Sequence, residues 1–318
     1  MPLPTSTVIG MLSDNLRLRG SVLPLGKRRT SSWADGLNIP EGGHTVLYTG
    51  LTYQLMPYLE SLSAAQNKLG AAMPERLAAL GRPVNRLVNI AGLMAWPSRE
   101  KRRHYDRILG DIVAVLRSAG VEFGYLYGDD LYSGALVHDY GEDEVVRIHG
   151  RRIRDVLRAA GVQEVITIDP HTTNMLRSVL PQLVDGFTVQ VRHYLEVLAD
   201  RNPLPRRDLG QELAVHDSCL MARAENVVEA PRALLRAAGS VVLDPEHARD
   251  ITWCCGGPVE SLYPEKAHAN ARTRVAQLRG TAPEAVTMCP ICLVNLRGAA
   301  NGSMRLQDIS HYLRRAYT

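Results

Sequence analysis

Between Glu144 and Ala160, apolar residues fall at positions 145, 146, 148, 153, 156 and 157, and Gly161 follows. That spacing puts them on one face of a helix with a glycine at its end. Residues Val165 to Ile168 form a short β-branched run, which predicts a strand. The same order returns later, with a helical stretch over 265–278 and a strand over 285–288. Helix, strand and then a loop at the strand's end is the pattern of a parallel α/β sheet. Such sheets bind ligands beyond the carboxyl ends of their strands.

The recurrence extends into an internal repeat. Val165–Leu176 aligns with Ala285–Leu296, so Asp169 stands where Cys289 is and Thr172 where Cys292 is. Tyr132-Ser133-Gly134 aligns with Cys254-Cys255-Gly256, and Thr49-Gly50-Leu51 with Asp217-Ser218-Cys219. Val189–His193 matches Arg305–Ile309 more loosely, before a closing helix in each half. The first copy carries an insertion at about residues 63–107. The expected class is α/β, two tandem pseudo-repeated domains with short parallel sheets flanked by helices. The expected boundaries are an N-terminal arm over 1–45, a cysteine-free domain over 46–205 and an intact domain over 206–318.

Composition narrows the picture. At 318 residues, with 45% hydrophobic and 22% charged residues, the chain is long enough for about two globular domains. The net charge of +4 over that length makes no phosphate-tracking surface, so no nucleic-acid partner is expected. The start, MPLPTSTVIGMLSDN, has no basic opening, and Asp14 interrupts any apolar core, so it does not read as a secretory signal. The most apolar stretch, Leu87 to Pro97, is too short to cross a bilayer. A cytoplasmic protein is expected, peripheral at the membrane only through partner subunits.

All five cysteines lie in the last third, at Cys219, Cys254, Cys255, Cys289 and Cys292. An odd number, with two adjacent, does not make a disulfide framework. A structural zinc site takes four ligands, often from two C-x-x-C pairs, and only Cys289-Pro290-Ile291-Cys292 has that form here. A thioredoxin-like reading would leave Cys219, Cys254 and Cys255 without a role. Thiolates converging from three loops suit an iron–sulfur cluster. Cys289 falls at a strand end and Cys292 in the first turn of the following helix, where backbone N–H groups and the helix dipole favour thiolate charge. Gly256, Gly257 and Pro258 predict a tight loop near the metal, and Trp253 and Pro290 are placed either to shield it or to pack the core.

The set Cys219…Cys254-Cys255-Gly256-Gly257-Pro258…Cys289-Pro290-Ile291-Cys292 resembles the CCG, or cysteine-rich, domain of heterodisulfide reductase B/D-type subunits. The resemblance implies two tandem CCG-type domains, the first stripped of its ligands. It implies one non-cubane [4Fe-4S] cluster on the five cysteines, and kinship with iron–sulfur subunits of anaerobic oxidation systems.

The chain has no Gly-x-Gly-x-x-Gly after a strand, no P-loop and no second cysteine cluster. A one-centre carrier needs a donor and an acceptor, and the resemblance suggests a flavoprotein dehydrogenase, a hydrogenase or a quinone-linked subunit. The expectation is a non-catalytic electron-transfer subunit. Its alternatives are disulfide reduction at the cluster and a zinc-binding scaffold. His216, Asp217, His138, His171 and Asp169 fall in or near ligand loops, and a second metal on His138, Asp169 and His171 is the alternative to capping and solvated roles. The stretch Arg17–Pro40, with Lys27-Arg28-Arg29, reads as an extended arm, either a tail packed by Trp33 or a docking strap for a partner. Arg99–Arg103 reads as a solvated helix face.

Overall fold

The computed structural model describes residues 5–69, 96–260 and 262–318. Two four-stranded parallel sheets organise it. The first comprises β1 (Thr45–Tyr48), β2 (Gly124–Tyr125), β3 (Glu164–Thr167) and β4 (Gln190–His193), in the order β2-β1-β3-β4. The second comprises β5 (Glu212–His216), β6 (Val241–Leu243), β7 (Glu284–Thr287) and β8 (Arg305–Asp308), in the order β6-β5-β7-β8. The two orders are equivalent, so the repeat read from sequence is a repeat of topology.

The predicted helices and strands are present as Asp143–Ala159, Glu164–Thr167, Pro264–Thr281 and Glu284–Thr287. The loose end of the alignment is off by one. Glu164 pairs with Gln190 as Glu284 pairs with Arg305, so Gln190 is the counterpart of Arg305 and His193 that of Asp308. His193 and Asp308 each cap the closing helix. Because side chains alternate across a strand, the corrected register matches buried Val191 with buried Leu306, and a one-residue slip would set a buried position against an open one.

The central strands β1 and β3 are covered on both faces, as a parallel sheet requires. Val46, Tyr48 and Val165 face a cluster with Leu16, Val22, Leu23 and Leu157. Leu47 and Ile166 face the other way, towards Ile108, Leu109 and Ile112. That second cluster continues without a break into Leu213, Val215, Leu293, Tyr312 and Leu313 of the second half.

We number the helices used below as α1 (Thr5–Arg19), α2 (Thr52–Leu69), α3 (Arg99–Ser118), α4 (Asp143–Ala159), α5 (Pro170–Asn174), α6 (Tyr194–Arg201), α7 (Glu229–Ala237), α8 (Pro264–Thr281), α9 (Pro290–Ala300) and α10 (Ile309–Tyr317). Helix α3 starts at Ser98, whose hydroxyl accepts from Lys101 N at 3.2 Å. Its solvated face at Arg99–Arg103 is exposed as expected, while Tyr105, Ile108, Leu109, Ile112, Val113 and Leu116 are buried at helical spacing. It stands between β1 and β2 as α7 stands between β5 and β6. Residues 99–107 therefore belong to the shared fold and not to an insertion. Of the remainder of that stretch, 70–95 lie outside the described residues.

The N-terminal stretch is not an extended arm. It enters as helix α1 and buries Leu16, Val22, Leu23, Trp33, Ala34 and Ile39 in the first half. The Trp33 indole donates to Tyr125 Oη at 3.1 Å. Lys27 pairs with Asp129 at 2.5 Å, Arg28 pairs with Asp35 at 2.8 Å, and Arg29 lies over the Trp96 ring. Six spaced apolar residues among the Gly, Pro and Ser decide the outcome, because together they bury more surface than the flexible residues cost in order. Among the described residues, no helix is long and apolar enough to cross a membrane.

Candidate metal centre

Strands β5 and β7 are neighbours at the point where the strand order of the second sheet reverses. In open α/β sheets this crevice is the ligand-binding position. Cys219 lies just beyond β5, and Cys289 just beyond β7 as the N-cap of α9. Cys292 sits in the first turn of α9, as the sequence predicts. The third loop brings Cys254 and Cys255 and closes on Gly256, whose φ of 82° suits glycine. A Cβ there would come within 2.6 Å of the Ala267 carbonyl oxygen, and one on Gly257 within 2.2 Å of Ile291 Cγ2.

The three loops bring all five thiols into one continuous set. All five are free thiols, and they hydrogen-bond in a chain from Cys219 to Cys254, Cys255, Cys292 and Cys289. Cys255, Cys289 and Cys292 are buried, and Cys219 and Cys254 are half-buried. Hydrogen bonds from Cys219 and Cys255 pull the Cys254 thiol well below its usual range, and the Gly256 N–H adds to this at 3.3 Å from Sγ. Burial raises Cys289, yet hydrogen bonds from Cys292 and His171 outweigh it and leave this thiol low. Hydrogen bonds push up Cys219 (from Cys254), Cys255 (from Cys254, against an opposing one from Cys292) and Cys292 (from Cys255 and Cys289), and burial adds to each. Sulfurs this close cannot all be thiolates without positive charge among them. Soft thiolates select iron–sulfur, zinc or cuprous centres, and five of them exceed a tetrahedral zinc shell. The donor set fits an iron–sulfur cluster.

Around the thiols lie charged residues that the sequence pattern did not single out. Arg232 of α7 is fully buried and forks onto Asp217, with both N–O distances 2.7 Å. Asp217 also accepts from Arg249 N at 2.7 Å, and its carbonyl from Thr252 Oγ1 at 2.9 Å. Asp217 therefore fastens the loop that leads into Cys254; it is an anchor and not a ligand. Arg274 of α8 is fully buried too, and its Nε donates to His216 Nδ1 at 3.0 Å. Its position was legible, because Arg274 falls within the buried stripe Ala267, Ala271, Val275 and Leu278. A buried arginine in an apolar stripe needs a built partner.

The first half also reaches the centre. His171, at the start of α5, hydrogen-bonds Cys289, and its Nδ1 stands 3.9 Å from Asp139 Oδ2. Burial works against the imidazolium, but the Cys289 bond and charge raise its pKa overall. Among the described residues, His138, Asp169 and His171 do not form a group with metal-ligand spacing. Asp169 caps α5 by accepting from His171 N and Thr172 N, both at 3.0 Å, and His138 pairs with Asp143 at 2.6 Å. Among the described residues, one trio has metal-ligand spacing: His216, Cys255 and Cys292, with ligand atoms within 4.8 Å of one another. Trp253, placed by sequence as shield or core, is 37% exposed and tilted against His247; Pro290 is buried.

The same span matches a family model: residues 213–297 fit the cysteine-rich domain called CCG. This segment is similar to the CCG domain. The match begins in β5 and ends within α9, so it takes in all five cysteines. Over 231 residues the chain is 29% identical to the EtfAB:quinone oxidoreductase of Syntrophomonas wolfei, covering 67% of this chain and 32% of that protein. It is 29% identical over 199 residues to FadF of Bacillus subtilis, named a probable iron-sulfur-binding oxidoreductase, covering 60% of this chain and 28% of that one. It is 25% identical over 210 residues to one of the subunits of the dihydromethanophenazine:CoB–CoM heterodisulfide reductase of Methanosarcina mazei, covering 61% of this chain and 51% of that one. The chain thus spans between about a quarter and a half of the length of these relatives. Each covered segment is longer than the CCG domain itself, so the likeness reaches into the cysteine-free half.

Proposed function

We propose that the protein is an electron-transfer subunit of a heterodisulfide-reductase-like redox complex, with one iron–sulfur cluster of the non-cubane [4Fe-4S] type. Cys219, Cys254, Cys255, Cys289 and Cys292 are its ligands. The observation that carries this reading is the convergence of five thiols, from three loops, on the crevice where the strand order reverses. The equivalent loops of the first half hold Leu51, Tyr132, Ser133, Asp169 and Thr172, which gives one centre per chain. When bound, the cluster supplies reversible one-electron chemistry. The chain's own residues exclude water from Cys255, Cys289 and Cys292, hold Cys254 and Cys289 as thiolates, and fix the Cys254 loop through Asp217. The half-buried Cys254 lies beside exposed Ile251 and Trp253, and this is the side on which electrons would enter or leave.

Donor and acceptor are then other subunits: a flavoprotein dehydrogenase, a hydrogenase or a quinone-linked protein. That similar proteins are named for quinone and heterodisulfide oxidoreduction supports this class of partner. Anaerobic purification with iron, sulfide and zinc analysis and an EPR spectrum tests the reading. About four irons per chain are expected for a single [4Fe-4S] centre. Zinc in place of iron, or about twice that iron, overturns it.

A further inference from the structure

His216 is the one histidine at metal-ligand spacing to two of the cysteines among the described residues, and counting donors would make it a sixth ligand. Its surroundings argue otherwise. The ring is 1% exposed at the end of β5. Nδ1 receives the Nε–H of Arg274 at 3.0 Å. A guanidinium has donors only, so Nδ1 must be the lone-pair nitrogen and the single ring hydrogen lies on Nε2. Arg274 cannot turn away easily. Its Nη1 donates to the Glu246 carbonyl at 2.8 Å, the His247 carbonyl at 3.0 Å and Gln277 Oε1 at 3.0 Å. Nε2 of His216 is buried with no protein partner, and a ring nitrogen of His216 lies within 4.8 Å of both Cys255 Sγ and Cys292 Sγ. A buried N–H without an acceptor is costly, so its acceptor is expected to be sulfur of the bound centre.

We infer that His216 is a hydrogen-bond donor to the sulfur of the metal centre, not a ligand, and that Arg274 fixes it in the Nε2–H tautomer. This rests on the proposed cluster. A donor to sulfur stabilises the more negative, reduced state and so raises the potential. Second-shell donors of this kind orient and tune a centre without entering its coordination sphere.

The test uses the full-length protein purified anaerobically as wild type, His216→Leu, His216→Gln and Arg274→Met. Iron and sulfide are assayed, the midpoint potential is titrated by EPR, and nitrogen and exchangeable-proton couplings are read by pulsed EPR in H₂O and D₂O. His216→Leu should keep its iron, lose one exchangeable-proton coupling and favour reduction about tenfold less, ~59 mV for a one-electron couple. His216→Gln, whose amide N–H can replace the donor, should restore most of the shift. Arg274→Met should move the potential in the same direction as His216→Leu. A directly bound nitrogen in the wild type, or iron lost from both His216 variants with the fold intact by circular dichroism, overturns the inference. So does an unchanged potential in His216→Leu. Should His216→Leu fail to fold, the wild-type coupling and Arg274→Met still decide it. A wild type without iron and sulfide sinks the proposed function itself, a different outcome from a cluster whose potential ignores His216.

Discussion

The two halves share a strand order, a left-handed glycine at the second ligand loop (Gly134 at φ 89°, Gly256 at φ 82°) and a proline opening the helix after the third strand. They differ in what the loops present. In the second half Cys289 and Cys292 face one another across the first turn of α9. In the first, Asp169 occupies the cap and accepts the N–H groups of His171 and Thr172. The backbone donors that would steady a thiolate steady a carboxylate instead. At the first loop, Thr49 N donates to Asp130 Oδ2 at 3.1 Å, and Gln54 Nε2 reaches Thr49 Oγ1 at 2.6 Å. The comparison teaches that this fold does not need metal to hold its ligand loops. It needs some buried group that accepts from the helix start and ties the first loop, and a polar side chain serves.

The largest effect expected is at the cysteines. Cys254→Ser or Cys255→Ser should abolish or convert the cluster, because serine is a poor soft-metal ligand. Tyr132→Phe and Ser133→Ala, at their counterparts, should leave the iron content unchanged. Equal iron loss in both sets would show that the halves are not as different as their loops. Next comes the anchor. Asp217→Asn removes the main counter-charge of the fully buried Arg232, which keeps Asp244 at 2.6 Å, so the loss should fall below the about 3–5 kcal/mol of a buried charge left unpaired. A urea titration should show that loss, with lowered iron retention as the Cys254 loop comes free. Thr49→Ala, the equivalent position in the first half, should cost less, since a neutral hydrogen bond is worth about 1 kcal/mol.

The third prediction separates the halves by pH. Burial lifts the Asp130 carboxyl to about 7, against an ordinary value near 4. Across that interval the folded chain keeps a proton the unfolded chain has lost, so this group's contribution falls as pH rises from about 4 through 7. Asp130→Asn should remove that part of the decline in urea midpoint between pH 5 and 8; an unchanged slope would refute it. The smallest effect is at the bridge between halves. His171→Gln should keep its iron and shift the EPR signal and potential of the centre. No shift would mean that the first half serves only as a support.

Much of this was legible in sequence. The helix over 144–160, both strand–loop–helix units and the cysteine spacing lie in local patterns, and the structure places them within a residue or two. The five thiols meet because spacing and topology both put them at strand ends. What was not legible depends on partners far along the chain. The N-terminal stretch was misread because its Gly, Pro and Ser obscured Leu16, Val22, Leu23 and Trp33, whose burial depends on a sheet formed later. The one-residue slip at Val189 arose because a short mixed strand fixes its register only by pairing. His171 joins a cysteine 118 positions away, which no local pattern encodes. Arg274 and Arg232 left a local trace, each as a charge inside a buried helical stripe.

The apolar cluster that runs from Trp33 and Ile112 through Leu213 to Leu313 has a thermodynamic consequence. Among the described residues this cluster leaves no boundary where one half could melt with the other's core closed, so the chain should unfold as a single cooperative unit despite its duplicated plan. Whatever fills the cysteine site binds only the folded form, and mass action then spreads that binding energy over both sheets. The first half, with no ligands of its own, would still melt later when the second half is loaded.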